Sequence, residues 1–494
     1  MKTTFRHMSV LITLVALLTG GNNFVLGQAK GSTAGPSSSQ NPYLVRSVPG
    51  VVTKSILTVG DSVNLKPDGV TPYRMVGIPD GLGAFDNGDG TFTVLMNHEI
   101  SSGGAVRAHG ANGAFVSRWI VRKDDLKVLH GEDLIQNVAT WNSATSSYNA
   151  PAQGVTFSRF CSADLALRSA FYNASTGLGY DGRIYLNGEE SGNEGRPWAH
   201  LLNGTSYELA RLGNASWENL LANPGSGDKT IVAGNDDSTP GQVYVYIGTK
   251  TNSGSTIDKA GLTNGNLYGV KVNGIATETR DAGVVSGTGF TLAPLGNVEN
   301  KTGAQIQTAS VAAGVTEFLR PEDGAWDPQN PSDYYFVTTD RYDTVKDGTG
   351  ATVGRSRLYR LRFFNINDPV AGGTVDMLLD GTEPHEMLDN IAVTRRGQVL
   401  ALEDVGNNPH IGLVWRYSIG EDTLNPVAEH DSDLFAPGAA NFLTQDEESS
   451  GIIDVSDILG DGWFLLDVQA HYGIAGELVE GGQLLALHYP PGKK

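Results

Sequence analysis

Apolar positions along this chain come in bursts of strand length, not in helical stripes. Residues 92–96, 184–186, 243–247, 334–337, 399–402 and 464–466 are each three to five residues of β-branched, aromatic or Leu character. Turn signals precede several of them: Asn87-Gly88-Asp89-Gly90, Asp181-Gly182, Arg396-Gly397 and Asp461-Gly462. Turn dipeptides flanked by such runs predict β-hairpins. Helical periodicity is sparse, and residues 216–222 are the one short helix candidate, with Asn214 or Ser216 as its cap.

The hairpins share a grammar. A polar or acidic residue opens each unit, a small or apolar stretch and a turn follow, and the next strand usually closes on an acid or His. With Asp80, Cys161, Asp236, Glu322, Asp389 and Glu448 as opening residues, the separations are 81, 75, 86, 67 and 59 residues. Units of roughly 75 residues exceed the ~40–50 of compact propeller blades, so each would carry insertions. The pattern predicts an all-β fold, a six-bladed β-propeller with long inter-strand insertions, in which each unit sends one inner strand to a central channel. Unrelated hairpins in a sandwich are the alternative. The third unit fits worst, because its strand closes on Lys250.

Composition narrows the setting. The 494 residues include 63 glycines, 39% hydrophobic residues and only 18% charged ones, which suits a turn-rich β fold with a large core. Acids outnumber bases 54 to 35, for a net charge of −19, which speaks against nucleic acid as a partner and favours cations. One cysteine excludes an internal disulfide, a zinc ribbon and a CxxC redox motif. Lys2, Arg6 and His7 precede an apolar run at 8–18. That run is short of the ~20 residues a membrane span needs and reads as a secretory signal ending near Gly27. Residues 28–41 are rich in Ser, Gly and Ala and read as a flexible linker, leaving 42–494 as a single propeller domain. The expectation is a secreted or periplasmic protein with no membrane attachment after signal cleavage. Oligomeric state leaves no trace in the sequence.

The acids carry the candidate chemistry. Carboxylates from several blades that converge on one axis repel each other unless cations join them, and calcium takes six to eight oxygen ligands. The candidates are Glu99, Glu189, Glu190, Asp236, Asp237, Glu322, Asp323, Asp340, Asp389, Asn390, Glu403, Asp404 and Glu448. Cys161 stands in register with them, and a thiolate prefers a softer metal such as iron or zinc. Arg320 precedes Pro321-Glu322, and a guanidinium beside a metal-ligating carboxylate suits a phosphate clamp. No G-x-S-x-G elbow, Walker loop or zinc-type histidine spacing is present.

Together, Asn97-His98-Glu99 after an apolar strand, a lone cysteine followed by Glu189-Glu190, Arg320-Pro321-Glu322, Asp389-Asn390 followed by Gly397, and Glu403-Asp404 resemble the PhoX-type alkaline phosphatases. The resemblance runs from about residue 79 to the C-terminus and rests on order and spacing. It implies a six-bladed propeller with two ferric ions and about three calcium ions in the channel. It also implies Cys161 as a thiolate ligand to iron, Glu322 as a catalytic iron-ligating carboxylate and Arg320 as the residue holding the phosphoryl group. Glu99, Glu189, Glu190, Asp389, Glu403 and Glu448 would complete the metal set. The family's twin-arginine export signal is absent, since Arg6 stands alone. Three functions remain open on the residues: a secreted phosphomonoesterase acting on a small phosphate ester, a calcium-only hydrolase of the phytase-like or lactonase type, and a non-catalytic calcium-binding module.

Overall fold

A computed structural model describes residues 31–342 and 356–490. The signal-peptide reading of residues 1–27 falls outside them. The described strands form six blades of four or five strands, antiparallel except for the parallel edge strands Ser32–Ala34 and Asn137–Ala139, and two of the blades are fused into one sheet. The innermost strands are Pro79–Asp86, Phe160–Asp164, Leu221–Ala222, Pro321–Trp326, Leu388–Val393 and Glu447–Asp454. They neighbour one another in that order, and the last lies against the first, so the ring closes. This is the expected six-bladed propeller.

Chain closure uses the N-terminal strands. Val52–Thr58 pairs antiparallel with Val479–His488 in the sixth blade, and Leu44–Arg46 edges the fifth against Thr423–His430. Part of the stretch read as a linker is therefore structural: Ser32–Ala34 pairs in parallel with Val52–Thr58, and the Gly35 amide donates to the Ser55 carbonyl at 2.8 Å. Low complexity there marks an edge strand with little to bury, and backbone pairing holds it.

The apolar bursts have a plain cause. Every blade is covered on both faces, so its middle strands bury alternate residues on opposite sides. Leu400 and Leu402 pack toward the sixth blade with Phe464 and Leu466, while Val399 and Ala401 pack toward the fourth with Tyr335 and Val337. Similar cores fill the other interfaces, such as Leu95, Tyr185 and Trp198 between blades one and two. The third and fourth blades are further joined at their outer edges, where Thr288–Gly296 pairs with Gly373–Leu379.

The third unit departs from expectation. Its inner strand is Leu221–Ala222, and Asp236 instead follows the next strand out, Lys229–Asn235. Residues 216–222 form no helix; they enter the blade extended, with Trp217 bridged to Asp236. Packing overrides the weak helical signal. Trp217 is buried against Gly188 and Gly234, where a Cβ would lie 2.3 and 2.6 Å from its atoms.

Candidate functional site

The inner strands share a local device. In five blades the pairing between the first and second strands slips, at Asp80/Leu82, Phe160/Ala163, Pro321/Gly324, Leu388/Ile391 and Ser450/Ile453. Such a bulge unpairs residues and re-aims their side chains. The bulges hold Cys161-Ser162, Glu322-Asp323 and Asp389-Asn390, and Asp80 begins the first. Ahead of four of them stands a non-glycine residue in the left-handed region: Ile78 (φ 52°), Arg159 (44°), Arg320 (57°) and Met387 (36°). Each lies two positions before Asp80, Cys161, Glu322 or Asp389. Left-handed backbone at such residues is costly and concentrates at functional sites. Gly81 lets the first two inner strands approach, since a Cβ there would stand 2.7 Å from the Cys161 carbonyl oxygen.

These turns deliver a continuous strip of ligand-type atoms. Asp80, Glu99 and Cys161 form one group, Cys161, Glu190 and Glu218 a second, and Glu218, Glu322 and Asp389 a third, with ligand atoms within 4.8 Å of one another in each. Cys161 belongs to the first two groups and Glu218 to the last two. Glu448 joins through Gln469, whose Nε2 lies 3.0 Å from Asp80 and Glu99, 3.4 Å from Glu448 Oε1 and 3.4 Å from Ser450. One amide nitrogen has two protons for these four acceptors. Asp404 bridges to Glu448 by backbone pairing.

The electrostatics are unfavourable without cations. Burial, then the Asp323 charge, pushes the Glu218 carboxyl up to about 8. Burial and Asp404 push Glu448 up to about 7. Asp80, Glu322 and Asp389 are raised well above the ordinary carboxylate range by burial and then by their acidic neighbours. Burial and Glu218 likewise push the Cys161 thiol up. Glu218 Oε1, fully buried, accepts no hydrogen bond, and Glu322 Oε1 has only the Arg320 guanidinium at 2.6 Å. Under-partnered carboxylate oxygens beside a thiol are a donor set that could hold cations, and the oxygens suit a hard cation while the thiol suits a thiophilic one.

Two arginines overlie this strip. Arg159 reaches Glu99 at 2.7 Å and also pairs with Glu190; Arg320 reaches Asp237 at 3.1 Å and Glu322 at 2.6 Å. Their side chains are 42% and 27% exposed, whereas Glu99 and Glu322 are 6% and 2% exposed, so the guanidinium groups stand between the acids and solvent. Asn97 fixes the strip from behind, donating to the Cys161 carbonyl at 2.5 Å.

Of the sequence candidates, Cys161, Glu99, Glu190, Glu322, Asp389, Glu448 and Arg320 come together, and Asp237 lies beside Arg320. Others do not. Glu189 points away and is held by Arg196 at 2.6 Å and by the Ser158 amide at 3.1 Å. Glu403 is consumed by the Glu386 and Leu413 amides, Trp415 Nε1 and His410, all at 2.7–2.8 Å. Asp236 accepts from Ser216 and Ser238, and Asp340 pairs with Arg280 at 2.9 Å. Asp323 and Asn390 form the layer beneath: Asn219 donates to Asp323 at 2.9 Å and Ser162 to Asn390 at 3.3 Å. Glu218, Arg159 and Gln469 are the residues the sequence reading misses. A signal existed for Glu218, because Glu218-Asn219 before Leu220-Leu221 repeats Asp389-Asn390 before Ile391-Ala392.

No protein-family model and no curated protein sequence matches the chain. Among solved structures it is similar to Pseudomonas fluorescens PhoX in complex with vanadate, a transition state analogue. The TM-score is 0.63 at 11% identity, covering 89% of this chain and 95% of that one. Cobalt-substituted Synechocystis ACO is far less alike, at a TM-score of 0.33 and 12% identity over 86% of this chain and 88% of that one. The chain has a PhoX-like propeller fold.

Proposed function

We propose that this chain is an exported, metal-dependent phosphomonoesterase of the PhoX type, working in the channel between Arg159 and Arg320. The observation that carries the reading is the strip of buried, under-partnered carboxylates around Cys161, capped by two guanidinium groups, on a fold shared with a protein that binds vanadate. Cys161, Glu190 and Glu218 would hold iron, and the remaining acids would divide between iron and calcium. Bound there, such cations would supply charge neutralisation for phosphoryl oxygens and acidify a water.

The chain's own residues do the rest. Arg320 sets its Nε–Nη2 edge against Asp237 and Nη2 also against Glu322, which leaves Nη1 to donate to a phosphoryl oxygen and the planar charge to face it. Arg159 is its counterpart from the second blade. Both are aimed by left-handed backbone two residues ahead of a ligand, so each guanidinium is fixed relative to the acid it serves. Preorganised positive charge at the place where phosphoryl charge develops is the larger part of such catalysis. Glu189 and Glu403 position the walls: each ties an inner-strand approach to the neighbouring loop through buried bonds.

The test is turnover of an aryl phosphate monoester by protein loaded with iron and calcium. The reading expects turnover that chelation abolishes and vanadate inhibits. Fully loaded protein that leaves the ester intact would refute it, and turnover with calcium alone would favour the phytase-like reading.

A further inference from the structure

The acid strip is not uniformly short of partners. At its first-blade end, each carboxylate oxygen of Asp80 and Glu99 meets an N–H of the chain. Asp80 Oδ1 accepts the Gly81 amide at 2.6 Å, and Oδ2 accepts Gln469 Nε2 at 3.0 Å. Glu99 Oε1 meets Arg159 Nη2 at 2.7 Å, and Oε2 accepts Gln469 Nε2 at 3.0 Å. The two protons of that amide suffice for these nearer acceptors, while Glu448 and Ser450 stand at 3.4 Å. The other end differs: Glu218 Oε1 accepts no hydrogen bond, and Glu322 Oε1 has Arg320 alone.

Arg159 sits at the filled end. Its Nη2 bridges Glu99 of the first blade and Glu190 Oε2 of the second. Its Nε donates to Glu190 Oε2 and to the Glu190 carbonyl, both at 3.0 Å. The backbone is anchored on the same two blades. The Arg159 amide donates to the Ile100 carbonyl at 3.2 Å, and the Arg159 carbonyl accepts the Glu190 amide at 2.8 Å. With φ at 44°, this is backbone that the surrounding structure must hold in place. The guanidinium is thus fixed between acids of neighbouring blades, as a bridging metal ion would be.

We infer that Arg159 is a resident cation of the centre: with Gln469 it fills the seat among Asp80, Glu99 and Glu190, so that metal ions bind only toward Cys161, Glu218, Glu322 and Asp389. The inference rests on the reading of the strip as a metal centre and takes Asp80 and Glu99 out of its ligand set. A guanidinium answers two carboxylates with charge-assisted bonds of fixed geometry, and it stays charged at every working pH. A calcium ion at the same place needs six to eight oxygens. It would find the four oxygens of Asp80 and Glu99 already engaged, with the protons of Arg159 and Gln469 aimed at them.

The test counts ions. Parent, Glu99→Gln and Arg159→Met proteins are exposed to iron and calcium, desalted and analysed by element. Glu99→Gln is expected to keep the parent's iron and calcium counts. Arg159→Met, which keeps a hydrocarbon stem and removes the charge, should gain one calcium per chain, and calcium should raise its Tm more than it raises the parent's. Loss of one ion per chain from Glu99→Gln would overturn the inference, and so would Arg159→Met protein that holds no more calcium than the parent. If Arg159→Met does not fold, the Glu99→Gln count decides alone. Parent protein that retains no metal would instead overturn the metal-centre reading itself, so the two failures are told apart.

Discussion

Glu218→Gln separates the function of the acid strip from its cost. Glu218 is 1% exposed, its Oε1 accepts no hydrogen bond, and burial raises its carboxyl from 4.5 to about 8. A raised native value means that the metal-free folded chain holds the proton more tightly than the unfolded one. The contribution to stability is therefore complete below about pH 4.5 and is lost as pH rises through about 8. At 1.36 kcal/mol per unit, the loss is about 1 kcal/mol at pH 5 and about 4 kcal/mol at pH 8. Glutamine carries no such term. For a chain of this size, 1 kcal/mol moves Tm by on the order of 1 °C. Chelated Glu218→Gln protein should thus melt about 4 °C above the parent at pH 8, and about 1 °C above it at pH 5. Thermal unfolding at the two pH values reads this directly. Added metal should reverse the order, because the variant has lost a shared ligand. A variant that melts lower than the parent at pH 8 without metal, or a difference that ignores pH, would refute the reasoning.

The remaining predictions are more local. Cys161→Ala should lose iron and aryl-phosphate turnover together, read by elemental analysis and steady-state kinetics; full activity in that variant would remove the thiol from the site. Arg320→Lys, which keeps charge but loses the fork, should lower kcat/KM by about 100-fold while leaving Tm within a few degrees. Glu189→Gln should leave metal content unchanged and destabilise the fold by about 2 kcal/mol in denaturant titration, since it frees a partly exposed Arg196. Gly188→Ala should cost about 2 kcal/mol or more, because its Cβ would meet the Trp217 Cβ at 2.3 Å.

Much of the architecture was legible because a propeller repeats its chemistry. Blades covered on both faces need apolar runs at 399–402 and 464–466, and five opening residues sit on or beside inner-strand bulges or the strand start. The third blade was illegible for a physical reason. Its inner strand is two residues long, so it leaves no apolar run, and the hairpin after it, Lys229–Asn235 with Gly241–Thr249, gave the stronger signal. Asp236 closes that hairpin and stood in for Glu218. Glu189 and Glu403 show the other limit. An acid at the end of a buried strand must find a partner, but sequence does not say whether the partner is a cation or, as here, Arg196 and a set of backbone amides. Gln469 and Arg159 were hidden for a related reason: each acts through where its blade places it, against residues hundreds of positions or a whole blade away.

The central claim is that the channel acids exist to hold metal. Elemental analysis of the chain, exposed to both metals and desalted at pH 8, tests it most directly. The account predicts several ions per chain, with iron and calcium both present, and loss of iron from Cys161→Ala. Fewer than one tightly held ion per chain, in protein that is folded and has been exposed to both metals, would contradict it.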